Sequence, residues 1–149
     1  DGSGLPRGLV GSNTIARPKD HAGIVPTLVG EIAAVTNAYD NLLSGTGKTR
    51  PVAPDVAVQI IQSQAGTVFN REVVRAFLRV VPVYPKGTEI VVTEGTYHGY
   101  KGIVVHVNIV QLDKPVIALC LDKDGHSIDP IMVDLAKETD IRIRAIWNL

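Results

Sequence analysis

Pro82-Val83-Tyr84-Pro85-Lys86-Gly87-Thr88-Glu89-Ile90-Val91-Val92-Thr93 is where this 149-residue chain changes its pattern. Two prolines and a glycine form a turn-bearing approach, and Glu89–Thr93 is a Val/Ile-rich run of strand length. Lys101–Asn108, Val116–Asp122, Ile128–Asp134 and Asp140–Ile146 repeat that composition downstream. Gly95, Gly99, Asp113, Pro115, Lys137 and the pair Asp124-Gly125 fall between the runs. Asp-Gly is a strong short hairpin signal. Ile141, Ile143 and Ala145 alternate with Arg142 and Arg144, which gives that segment one apolar and one charged face. Five short strands at this spacing predict a small antiparallel barrel of the SH3-like kind over 82–149.

Upstream of Pro82 the period is helical. Leu28, Ile32, Val35, Tyr39 and Leu42 recur every three or four residues, which predicts one stripe of an amphipathic helix over about 27–43. Ser44-Gly45 and Gly47 end it. A second helix is expected over 55–64, with Pro54 suited to its first turn and Gly66 as its stop. Asn70 reads as the N-cap of a third, over 71–81, which buries Val73, Val74, Phe77, Leu78 and Val81. Residues 1–24, with five glycines, two prolines and Ser12-Asn13-Thr14, read as loop. The fold class expected is therefore α+β: a helical part over 1–81, then a β part over 82–149.

Fifteen basic residues balance fifteen acidic ones, and the sequence pI is about 7.1. The halves differ little, with eight basic against six acidic residues before Pro82 and seven against nine after it. Neither half suits a protein held to a nucleic-acid polymer mainly by phosphate contacts. Hydrophobic residues make up 45% and charged ones 20%, a globular rather than disordered composition. No run of about 18 apolar residues or secretory pattern occurs, so no membrane segment is expected. The single cysteine, Cys120, allows no internal disulfide and reads as a core thiol in a reducing, cytoplasmic setting. The single methionine is Met132, so Asp1 is read as an internal position of a longer protein.

Asp1-Gly2-Ser3-Gly4-Leu5-Pro6-Arg7-Gly8-Leu9 is the stretch richest in chemical possibility. Glycines let a backbone approach a ligand closely, Asp1 could hold a cation, and Arg7 could fork onto a phosphate. From these residues alone a surface turn is the plainer reading. Gly45-Thr46-Gly47-Lys48-Thr49 ends like a phosphate loop, but Leu42 stands where its first glycine belongs. His21, His98, His106 and His126 lack metal-ligand spacing and read as ordinary histidines. Gly99-Tyr100-Lys101-Gly102-Ile103-Val104 resembles the glycine-centred turn of KOW-type RNA-binding barrels. Only Lys101 is basic there, so no RNA contact is expected.

Several segments taken together resemble one family. Asp1–Leu9 resembles the GYP motif of the HD-GYP metal-dependent phosphodiesterases, which hydrolyse the bacterial messenger cyclic di-GMP. Ile32-Ala33-Ala34-Val35-Thr36-Asn37-Ala38-Tyr39-Asp40-Asn41-Leu42 is similar to that family's "VADxYDAL" helix, and Arg50-Pro51 falls where the family shows Arg-Pro-Tyr-Arg. Ala65–Asn70 with Val73–Leu78 resembles "GTxFDPxVVxAFL". Val83–Thr88 resembles the start of a β extension found on many members.

The resemblance implies a helical remnant of an HD-type α-bundle followed by the small barrel. It implies divalent Fe or Mn ions that lower the pKa of a bridging water and neutralise phosphodiester oxygens. Most ligands, the His-Asp pair included, would precede Asp1, so no catalytic residue is expected within these 149 residues, and they are not expected to hold the metal alone. Asp1 matches the family's aspartate at the metal centre. Asn37 stands where an aspartate ligand is usual, and a neutral amide is a poor ligand for a hard cation. Gly2, Gly4, Pro6 and Arg7 would close over the phosphates of a cyclic dinucleotide. Leu5, Val10, Asn37 and Asn41 depart from the family pattern. They motivate an alternative, a degenerate signalling module that binds nucleotide or a partner protein without chemistry. The stripe from Leu28 to Leu42, deprived of the rest of a bundle, is expected to drive self-association.

Overall fold

The computed structural model describes residues 27–46 and 49–147. Three helices precede five strands: α1 (Leu28–Ser44), α2 (Pro54–Ser63), α3 (Arg71–Phe77), β1 (Glu89–Glu94), β2 (Lys101–His106), β3 (Val116–Leu121), β4 (Ser127–Asp134) and β5 (Arg142–Ala145). The chain divides into two compact units. One comprises Asp1–Val52 with Val56–Arg79, the other Ala53–Asp55 with Val80–Leu149.

In the first unit Thr27 caps α1, its hydroxyl accepting the Gly30 N–H at 3.1 Å. Val35 is fully buried, and Tyr39 meets Phe77 of α3 edge-on with ring centroids 5.2 Å apart. The stripe is rotated from the one expected. Glu31 is buried while Ile32 is 46% exposed, because the Glu31 carboxylate turns inward to accept from the Asn70 side-chain amide at 2.9 Å. Asn70 is the N-cap of α3, as its position suggests, and its Oδ1 accepts from the Glu72 and Val73 amides. That helix is shorter than the 71–81 expected. It ends at Phe77, and Val80 is 72% exposed. Pro82 disfavours helical backbone at Val81, and the chain tightens into turns after Leu78. α2 buries Ala57, Val58 and Ile61.

In the second unit the strands pair antiparallel in the order β4-β3-β2-β1-β5. The expected barrel is not closed. Among the described residues β4 and β5 each pair on one side only, so the structure has an open five-stranded sheet. One face forms the core: Ile90, Val92, Val104, Ile117, Leu119, Val133, Leu135 and Ile141, with Tyr84, Tyr97, Tyr100, Ile131 and Ile143 packed against it. Each aliphatic side chain fully buried there contributes about 1.5–3 kcal/mol. β2 and β3 lie so close at Gly102 that any side chain there would strike the Ala118 carbonyl. Cys120 is half-buried rather than deep in the core. Trp147, the only tryptophan, follows β5 and is partly exposed. No helix among the described residues is long and apolar enough to cross a membrane.

Candidate functional site

Asp1, Gly2, Gly4, Pro6 and Arg7 lie outside the described residues, as do Leu5, Val10 and His21. The remaining expected ligand position, Asn37, is on α1. At about 100° per residue it falls roughly 200° around the helix from buried Val35. Asn37 is accordingly exposed, and it shares that outward face with Val29, Ala33 and Asp40, which are exposed too. α1 thus presents an amide and one carboxylate on a face otherwise made of small or apolar side chains. This pair makes a meagre donor set for a hard divalent cation, which favours several anionic oxygens.

The described residues place three possible ligands together elsewhere. Asp122, Asp124 and His126 each offer an atom within 4.8 Å of the others, at the turn joining β3 to β4. The local sequence explains the geometry. Gly125 takes a positive φ of 86°, which lets the chain reverse in Asp122-Lys123-Asp124-Gly125-His126. Asp122 Oδ1 accepts from the Asp124 amide at 2.9 Å and the His126 amide at 2.8 Å, and Oδ2 lies 3.3 Å from His126 Nδ1. The backbone hydrogen bond from His126, helped by that of Asp124 and by the imidazole, holds the Asp122 carboxyl below its ordinary range. Chemically the trio could offer two carboxylates and an imidazole to a first-row divalent ion, with water completing the shell. Asp122 Oδ1 is already engaged by two amides, so the same atoms also serve the hairpin. Sequence reasoning treated Asp124-Gly125 as a turn and His126 as a neighbour. The overlooked signal was the D-x-D-x-H spacing, which a hairpin folds onto one side.

A cleft of about 160 Å3 is lined by the apolar Val83, Leu135, Ile141 and Ile143 and by the charged Asp113, Lys114, Glu138 and Arg142. Tyr84, another lining residue, donates its hydroxyl to the Ile143 carbonyl at 3.0 Å. Burial, reinforced by Asp55 and Asp113, pushes the Tyr84 phenol up to about 12. His98 and His106 are exposed, and neither belongs to a group of three possible ligands among the described residues. Comparison of the chain with family models, with curated proteins and with solved structures finds no match.

Proposed function

We propose that the chain is the C-terminal portion of an HD-GYP-like metal-dependent phosphodiesterase acting on cyclic di-GMP in bacterial signalling, and that this portion alone turns nothing over. The observation that carries the reading is the order of four matching segments, Asp1–Leu9, Ile32–Leu42, Ala65–Leu78 and Val83–Thr88. A helical part followed by a five-stranded antiparallel sheet supports it, as a remnant of an HD-type bundle joined to an SH3-like β extension. The reading includes a cytoplasmic location.

The Fe or Mn centre that this reading implies does not fit the described residues of α1. Asn37 is neutral and exposed, and the group of three possible ligands among the described residues is at the β3–β4 turn instead. The ions would therefore be held by residues upstream of Asp1, with Asp1 at the edge of the site. Two measurements test this. Reading the encoding gene upstream of the Asp1 codon should reveal an in-frame His-Asp pair, and its absence would remove the enzyme reading. Purified residues 1–149 given Mn2+ or Fe2+ should leave cyclic di-GMP intact, and turnover would overturn the placement of the ligands.

Asn37 specifically favours a second reading, a degenerate module that binds nucleotide or a protein partner without hydrolysis. Asn37→Asp in the full-length protein separates the two. A rise in bound metal supports a weakened centre, and unchanged metal content counts against any role for that position.

A further inference from the structure

Residues of an antiparallel strand direct their N–H and C=O groups alternately to one side and the other. Ile146 N–H donates to the Glu89 carbonyl at 2.8 Å, and Arg144 pairs with Val91. That parity aims the backbone of Arg142 and Arg144 at β1, and the backbone of Ile143 and Ala145 away from it. Because β5 ends the sheet among the described residues, the outward groups of Ile143 and Ala145 form an edge, the usual template for pairing with another chain.

Two side chains from outside the sheet occupy that edge. The Tyr84 hydroxyl donates to the Ile143 carbonyl at 3.0 Å, and the Ala145 N–H donates to Asp55 Oδ2 at 3.4 Å. All four residues belong to the second unit, although Asp55 lies 90 positions from Ala145 in the chain. Asp55 is only 6% exposed, so it is placed as a buried acceptor rather than as a surface charge. We propose that Asp55 and Tyr84 form a latch that shuts the β5 edge against antiparallel pairing with β5 of a second copy of this chain.

The charge pattern of β5 identifies that copy as the partner being excluded. A two-fold pairing centred on Ile143 sets residue 142 of one copy opposite residue 144 of the other. With arginine at both positions like charges meet, which is a second guard on the same edge. Arg142→Glu converts both meetings into Glu–Arg pairs and removes the second guard alone.

The experiment uses residues 1–149 and reads sedimentation velocity with residue-resolved amide exchange. Arg142→Glu alone should sediment as the unmodified chain does, because the latch is intact. Asp55→Ala/Tyr84→Phe/Arg142→Glu should dimerise, with protection of the Ala145 amide rising with concentration. Equal dimerisation through Ala145 in Arg142→Glu alone, or no change in the triple variant, overturns the proposal. Should the triple variant not fold, two single changes decide. Asp55→Asn keeps an acceptor oxygen and should preserve Ala145 protection, whereas Asp55→Ala should lower it about tenfold, the weight of one hydrogen bond. Equal behaviour of the two variants overturns the latch.

Discussion

Asn70 uses both ends of one amide. Its oxygen accepts from the first amides of α3 while its nitrogen donates to the Glu31 carboxylate, and the residue is itself buried. Asparagine and aspartate are nearly equal as N-caps, so capping alone does not explain the choice. The partner does. Asn70→Asp would bring two carboxylates together out of water at the same site, and should cost about 2–4 kcal/mol in urea unfolding at neutral pH. A variant as stable as the parent at pH 7 would show that Glu31 is not held by Asn70. Gly102 carries a different constraint. Alanine there would collide with the Ala118 carbonyl, so Gly102→Ala should cost about 3 kcal/mol or more by forcing β2 from β3. Thermal unfolding of the sheet measures it.

Among the elements, those with a strong period or a strong turn signal were legible. The Val/Ile runs became β1 to β5 within a few residues, and Asp124-Gly125 became the β3–β4 turn. What escaped the sequence was anything set by a distant partner. Ile32 belongs to the expected stripe of α1 by spacing, yet Glu31 is the buried residue because Asn70 waits 39 positions away. The expected barrel is likewise an open sheet, because closure depends on how the edges meet and not on strand composition. The site was less legible still. Asn37 falls on an exposed face, and the Asp122–Asp124–His126 grouping emerges only once the hairpin is folded.

β5 also has a pH dependence. The Tyr84 phenol is held at about 12 against an ordinary 10, so the folded state keeps a proton that the unfolded chain releases. The resulting stabilisation is complete below pH 10 and is lost as pH rises towards 12. Urea midpoints taken across that window should fall steeply for the parent chain and more gently for Tyr84→Phe. Parallel slopes would mean that the hydroxyl is not buried against β5.

On the scale of the whole molecule, two units of different construction share one chain. The helical unit leaves Val29 76% and Ile32 46% exposed on α1, Val29 on the same outward face as Asn37 and Asp40. Exposed apolar residues on one helix favour association through that helix. Residues 1–149 should self-associate at high concentration, and Val29→Glu/Ile32→Glu should reduce the apparent mass in light scattering. An equal mass for both would place the contact elsewhere.

The single Trp147 sits immediately after β5, in the unit that contains the sheet. Its emission is therefore a private reporter of that unit, whereas far-ultraviolet dichroism near 222 nm is dominated by α1, α2 and α3. Denaturation followed by both signals at once asks whether the halves melt together. Coincident curves would mean a single cooperative block, and separated ones would give each half its own free energy without a label or a cut.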